Sequence, residues 1–123
     1  MSRPSTSTIV YGIPNCDTVK KARAWLSEQG VDYSFHDYKK QGVPADRVDA
    51  WIASVGWEPL VNRQGTTWRK LDEATKAGVA DAASAKALML SQASVIKRPV
   101  IERDGVVVLV GFAPDKAAAA FAR

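Results

Sequence analysis

Residues 8–26, TIVYGIPNCDTVKKARAWL, constrain the fold most, because the spacing of their apolar side chains changes partway along the stretch. Residues 8–13 are rich in β-branched and aromatic types and short enough for a buried strand. After Asp17 the apolar residues recur at helical spacing, at Val19, Ala22, Trp25 and Leu26. The stretch therefore predicts a strand, a tight turn and a helix, and Gly30 is expected to end the helix.

A second strand is predicted at residues 31–38, VDYSFHDY, where Tyr33, Phe35 and Asp37 share one face of an alternating pattern. With the first strand and helix it forms a βαβ unit. Residues 41–97 are expected to be helical, with one helix beginning at Pro44 and another capped by the Asp of DAASAKALMLSQAS.

The chain returns to strands after Pro99. VIER and VVVLVGF are joined by Asp104-Gly105, a strong hairpin signal, and a final helix has Pro114 near its first turn. The order is β-α-β, a helical block, then β-β-α. We expect one α/β domain over residues 1–123, with 8–40 and 98–123 as its core and 41–97 as a helical insertion.

The chain of 123 residues has one cysteine and one histidine, which excludes an internal disulfide and makes a protein-only zinc site improbable. No metal and no bound cofactor are expected. The net charge of +4 is spread along the chain and so does not favour nucleic acid. No apolar run is long enough to cross a membrane and no signal-peptide pattern precedes the first strand, so a cytoplasmic monomer is expected.

The only cysteine, Cys16, stands at the predicted strand-to-helix turn. Unpaired backbone N–H groups and the positive end of the helix dipole favour a thiolate there, and Lys20 and Lys21 add positive charge. Asn15 or Asp17 could cap the helix, and Gly12 and Pro14 are expected to let the backbone turn. An activated nucleophile is one interpretation. An inert, buried cysteine is the other, because free cysteine is among the most buried residue types.

Three motifs, YGIPNCDTVKKARAWL, GTTWRKL and IKRPVI, together with the helical block between the second and third strands, resemble the arsenate reductase (ArsC) family. That family includes the Spx transcription regulators and the YffB-like proteins, and the YffB-like branch is the most similar. The resemblance runs from about residue 8 to 121. It implies a thioredoxin-like fold with a mixed four-stranded sheet, in which Pro99 is a cis-proline opposite the nucleophile.

Carried over by position, the resemblance makes Cys16 the nucleophile and Arg98 an oxyanion-binding arginine. A second family arginine falls at Asn62, with Arg63 one step later. A third falls near Val110 or Gly111, where the chain has none, and Gly12 replaces a family histidine. The substrate-binding candidates are Asn15, Arg63, Arg69 and Pro99. Arg69 and Lys70 have a competing interpretation as the solvent-exposed side of a short helix.

The resemblance leaves three functions open. The first is a glutathione-dependent thiol-disulfide oxidoreductase that acts on a small anionic or disulfide substrate, with glutathione as co-substrate because no second cysteine can resolve an adduct. The second is arsenate reduction coupled to glutathione and glutaredoxin, which the missing arginine disfavours. The third is an Spx-like module that docks on RNA polymerase; its redox-switch members carry Cys-x-x-Cys, whereas Val19 stands three residues after Cys16.

Overall fold

The structure is a computed structural model that describes residues 8–121. The chain divides into two compact units. The sheet unit contains the residues up to Gln41 and from Arg98 onward, and the helical unit spans Gly42–Lys97. The expectation that they form a single domain with an insertion stays a prediction. Within residues 8–121 no helix has the length and apolar character needed to cross a membrane.

The described residues form four strands and seven α-helices. In chain order they are β1 (Thr8–Gly12), α1 (Asp17–Glu28), β2 (Ser34–Asp37), α2 (Tyr38–Gln41), α3 (Ala45–Val55), α4 (Thr66–Arg69), α5 (Glu73–Gly78), α6 (Ala82–Ser91), β3 (Val100–Arg103), β4 (Val106–Val110) and α7 (Pro114–Ala120). Two short 3-10 helices lie at Glu58–Leu60 and Ala93–Val95.

The sheet unit contains one four-stranded sheet with the order β2-β1-β3-β4. Strand β1 runs parallel to β2 and antiparallel to β3, and β3 runs antiparallel to β4. The hairpin turn has positive φ at both Asp104 (55°) and Gly105 (81°), as a type I′ turn requires. The predicted mixed sheet and the thioredoxin-like order β-α-β, then β-β-α, are confirmed.

One face of this sheet packs on α1 and α7. Its buried cluster comprises Val10, Ala22, Leu26, Ile101, Leu109 and Ala117, and Trp25, Tyr33, Phe35 and Phe121 are among the partly buried side chains that surround it. These residues include Ala22, Trp25 and Leu26 of the predicted helical stripe, and Tyr33 and Phe35 from one face of the predicted second strand. The alternation therefore places Val10 in this cluster and the next residue, Tyr11, on the opposite face.

The second strand is shorter than the sequence suggests. It was expected over residues 31–38, but β2 covers only Ser34–Asp37 and a helical turn begins at Tyr38. The side chain of Asp37 accepts a hydrogen bond from the Lys39 backbone N–H at 2.8 Å, and the Gln41 side chain accepts one from the Asp37 backbone N–H at 3.2 Å. These local hydrogen bonds favour a turn over a continued strand.

The helical unit contains no full strand, as expected, but it does contain one short antiparallel pairing. Val61 and Ile96 form an isolated bridge. It is flanked by hydrogen bonds from Asn62 N to Val95 O (2.8 Å) and from Lys97 N to Leu60 O (2.7 Å). Elsewhere in the unit α3 packs against α6. Asp81 caps α6 as predicted, in a capping box with Ser84.

Two predicted helix starts need correction. Cys16 itself is the N-cap residue of α1, whereas Asn15 and Asp17 were the expected caps. In GTTWRKL a threonine is the expected cap, but Gly65 is the N-cap of α4, so that Thr66 and Thr67 lie inside that helix. Cap positions depend on where the backbone leaves the extended conformation, and the residue types allowed either choice.

Gly12, the last residue of β1, is needed for a steric reason rather than for a turn. Gly12 is not among the residues with positive φ, the conformation that glycine adopts most readily. The expectation that Gly12 lets the backbone turn is therefore wrong. A Cβ at this position would lie 2.8 Å from Cγ2 of Val19, on the first turn of α1. Only glycine lets the start of α1 approach the end of β1 this closely.

We predict that Gly12→Ala destabilises the protein by about 1–3 kcal/mol, because the added methyl group overpacks the contact with Val19. Urea unfolding monitored by circular dichroism measures the change. Gly78→Ala is the matched control, since a Cβ there meets nothing within 4 Å, and it should be neutral or slightly stabilising. The cost of Gly12→Ala should shrink in a Val19→Ala background; an unchanged cost would contradict the steric explanation.

Candidate active site

The Cys16 side chain is placed at the start of α1 by the backbone on both sides of it. The residue is extended (φ −100°, ψ 125°) and its carbonyl accepts the first helical hydrogen bond, from Lys20 N at 2.9 Å. An N-cap side chain faces the N–H groups of the second and third helical residues, which here are Thr18 and Val19. The thiol is partly buried and thus remains open to reagents.

The surroundings of Cys16 favour its thiolate. Burial raises the pKa of the thiol, but the Val19 N–H, the Arg98 guanidinium and the Thr18 N–H together outweigh burial and lower it below the ordinary value. Arg98 acts both as a hydrogen-bond donor and through its charge. The sheet unit therefore brings together the two candidate catalytic residues, Cys16 and Arg98. A lowered pKa is typical of reactive cysteines.

Arg98 is held at the entry to β3. The Arg98–Pro99 peptide bond is cis, as the family resemblance implies, and Pro99 is buried. The Pro99 carbonyl accepts a hydrogen bond from Gly111 N at 2.8 Å, and β3 then runs between β1 and β4. Arg98 is therefore attached to the interior of the sheet rather than to a loop tip.

A buried polar cluster lies on the sheet face that carries Tyr11. The Tyr11 hydroxyl donates to Oε1 of Glu102 at 3.2 Å, and the Tyr11 ring lies 5.0 Å from that of His36. The His36 ring in turn makes an edge contact with Tyr38 at 6.0 Å. Burial raises the pKa of Tyr38, Tyr11 and Glu102 raise it further, and Arg98 opposes them. The Tyr38 hydroxyl thus lies within electrostatic range of the Arg98 guanidinium.

The remaining candidates occupy different places. Asn15 is exposed in the turn before Cys16. Arg63 and Arg69 belong to the helical unit and are exposed; Arg69 is the last residue of α4. The Arg63 guanidinium lies over two indole rings, 5.5 Å from Trp57 and 6.0 Å from Trp68. In residues 8–121 no group of three or more His, Cys, Asp and Glu side chains is suited to a metal ion.

The sequence interpretation missed Tyr38 and Glu102. The sequence pattern predicts Tyr38 only as the last residue of a strand and Glu102 only as part of the strand VIER. A charged residue in the middle of a short apolar strand is a usable signal, because an almost fully buried glutamate (2% exposed) needs a polar partner. Its partner Tyr11 is 91 positions away, which no local pattern reveals.

We predict that the alkylation rate of Cys16 rises with pH around a midpoint below the roughly 8.5 of an ordinary cysteine. Because the thiolate is the reactive form and Arg98 stabilises it, Arg98→Ala should move the midpoint to higher pH. Iodoacetamide labelling followed by intact mass measures the profile. Lys86→Ala removes a cation that pairs with Asp49 at 2.9 Å and should leave the midpoint in place. A wild-type midpoint at or above that of free cysteine would contradict the lowered pKa.

Known proteins are similar to the chain over most of its length. The chain is 42% identical over 113 residues to an uncharacterized protein of Haemophilus influenzae, across 92% of this chain and 97% of that one. The Spx global transcriptional regulator of Streptococcus pyogenes serotype M6 is 27% identical, over 89% of this chain and 81% of the regulator.

Two solved structures are 52% identical to the chain. The YFFB protein has a TM-score of 0.83, with 94% of this chain and 99% of that chain covered. An arsenate reductase (ArsC) related protein from Brucella melitensis has a TM-score of 0.75, with 99% and 100% covered. The ArsC family model itself matches residues 11–120. Nearly the whole described chain, from the residue before Gly12 to the end of α7, thus carries the family pattern, and the protein belongs to the ArsC family.

Proposed function

We propose that the protein is a glutathione-dependent thiol-disulfide oxidoreductase with Cys16 as its nucleophile. The observation that carries the proposal is the partly buried thiol of Cys16, which faces the Arg98 guanidinium and the N–H groups of Val19 and Thr18. Membership of the ArsC family supports thiol chemistry of this class. The residues of the sheet unit that surround Cys16 stabilise its thiolate.

In the first step, the Cys16 thiolate attacks a sulfur of a mixed disulfide between glutathione and a substrate thiol. A new sulfur–sulfur bond joins Cys16 to glutathione, the original bond breaks, and the substrate leaves as a thiolate that takes a proton from water. In the second step, the thiolate of a second glutathione attacks this adduct. Oxidised glutathione leaves and the Cys16 thiolate is restored. Overall, the mixed disulfide and one free glutathione become the substrate thiol and one oxidised glutathione.

The external thiol follows from the cysteine count. Cys16 is the only cysteine in the sequence, so no internal thiol can resolve the adduct. Glutathione is the small thiol that this step requires, and glutaredoxin is the protein that could take its place. A reducing cytoplasm is the compartment where that chemistry runs, since it keeps glutathione in its thiol form.

Arg98 has two roles in this scheme. Its planar, permanently charged guanidinium stabilises the thiolate before attack and can bind a carboxylate of the incoming glutathione in two-point geometry. Pro99, which follows it, is buried at the entry to β3, and exposed Asn15 lies in the turn directly before Cys16. Arg63 and Arg69 remain binding candidates of the helical unit.

Arsenate reduction is the second candidate, favoured by the relative from Brucella melitensis whose name contains arsenate reductase. The sheet unit offers Arg98 for an oxyanion, but Val110 and Gly111 stand where the resemblance expects a further arginine. The absence of this further positive charge would weaken binding of a multiply charged oxyanion. Arsenite production that requires glutathione and is lost in Cys16→Ser would establish this activity.

The Spx relatives support a third candidate, a regulatory binding module. Val19 lies three residues after Cys16, so a Cys-x-x-Cys switch cannot form in this chain. A regulator would not need the activated thiol that the sheet unit builds. Recovery of RNA polymerase on the immobilised protein, together with an unreactive Cys16, would favour this module over the oxidoreductase.

We predict that the reduced protein takes up one glutathione when it is mixed with oxidised glutathione near neutral pH. Intact mass should show a single adduct, and excess reduced glutathione should remove it. Arg98→Ala should slow uptake by roughly tenfold or more, as expected when a charge-assisted interaction of about 1.5–3 kcal/mol is lost. Cys16→Ser should take up none.

Lys86→Ala is the matched control for a lost positive charge, and it should behave as wild type. A Cys16 that stays unmodified under conditions that modify free cysteine would overturn the oxidoreductase proposal. So would an adduct that forms at the same rate in Arg98→Ala as in the wild type, because the proposed site would then have no part in the reaction.

A further inference from the structure

The helical unit contains a surface groove of about 290 Å³ that the reaction scheme does not use. It is lined by the charged residues Glu58, Arg63 and Lys97 and by the amide side chain of Asn62, among others. The groove holds two cations and one carboxylate in a space that suits a small polar ligand. Among residues 8–121, no ion pair joins Glu58 to Arg63 or to Lys97.

The groove is built on rigid backbone. The antiparallel bridge between Val61 and Ile96, with hydrogen bonds on both sides of it, fixes the segment that carries Asn62 to the segment that carries Lys97. Lys97 donates its own backbone N–H to Leu60 O at 2.7 Å, so its Cα position is set by the pairing. Rigid placement of charged groups lowers the entropic cost of binding.

Two further interactions restrain the side chains around the groove. Arg63 lies near the faces of Trp57 and Trp68, as a cation–π contact requires, so its charge is partly held in place. The Oδ1 atom of Asn62 accepts a hydrogen bond from Gln64 N at 3.2 Å. This turn leaves the amide nitrogen of Asn62 beside Gly65, where a Cβ would come within 2.9 Å of it.

We propose that this groove binds an amino-acid end group, with Arg63 and Lys97 holding its α-carboxylate and Glu58 holding its α-ammonium. A simple oxyanion such as arsenate, phosphate or sulfate fits less well, because Glu58 would repel it. The γ-glutamyl residue of glutathione carries such an end group. The inference names a recognition site for the thiol co-substrate, and in that respect it rests on the function proposed above.

S-methylglutathione is the probe, since it keeps the γ-glutamyl end group and has no free thiol. Titration followed by two-dimensional NMR should shift the backbone amides of Asn62 and Gln64 and give a dissociation constant. We predict that Lys97→Ala weakens binding roughly tenfold, the effect of one lost charge-assisted hydrogen bond. Lys86→Ala, on α6 of the same unit, is the control and should bind as the wild type does.

Glu58→Gln gives the sharper test. It should weaken binding of S-methylglutathione and strengthen binding of sulfate, since the carboxylate attracts an ammonium and repels an oxyanion. N-acetylation of the probe removes the ammonium and should abolish the difference between the wild type and Glu58→Gln. Equal binding of sulfate and S-methylglutathione by the wild type would overturn the proposal, as would shifts confined to residues around Cys16.

The same titration in Cys16→Ser separates this inference from the proposed function. Binding at the groove should be unchanged there, because the probe makes no covalent bond. If the groove binds the probe but Cys16 accepts no glutathione, the oxidoreductase proposal fails and the recognition site stands. If Cys16 accepts glutathione but the groove amides do not respond, the recognition site fails alone.

Discussion

The close contact between Gly12 and Val19 determines where the reactive sulfur lies. It brings the first turn of α1 against the end of β1, and because Cys16 is the N-cap of that helix, its side chain faces the unpaired N–H groups of Thr18 and Val19. A bulkier residue than glycine would push the helix start away from the sheet. The electrostatics of the thiol thus depend on a van der Waals contact that carries no charge.

The sheet supplies the other half of the thiolate's environment. Its α1-facing side is apolar around Val10 and Ile101, while the opposite side buries the hydrogen-bonded pair of Tyr11 and Glu102. Tyr38 lies within electrostatic range of this pair and of Arg98. One face therefore provides stability through packing, and the other sets the polar surroundings of the cation that stabilises the thiolate.

Local patterns predicted most of the fold and little of the site's detail. Strand-to-helix periodicity around Cys16 and the Asp104-Gly105 turn depend on neighbours in sequence, and the structure confirms both. The early end of β2 was missed because side-chain hydrogen bonds of Asp37 decide it. The contacts between Tyr11 and Glu102 and between Val61 and Ile96 join distant segments and so lie outside any periodicity. Arg98 was found through the family resemblance rather than through a pattern.

The sheet unit is assembled from both ends of the chain, and this order matters during synthesis. Cys16 leaves the ribosome early, together with β1, α1 and β2, whereas Arg98 and β3 follow only after the whole helical unit has been made. Until β3 inserts beside β1, the thiol lacks the guanidinium that stabilises its anion. A nascent chain therefore carries a thiol that only the N–H groups of α1 can stabilise, and full nucleophilicity arises only after β3 has been translated and has joined the sheet.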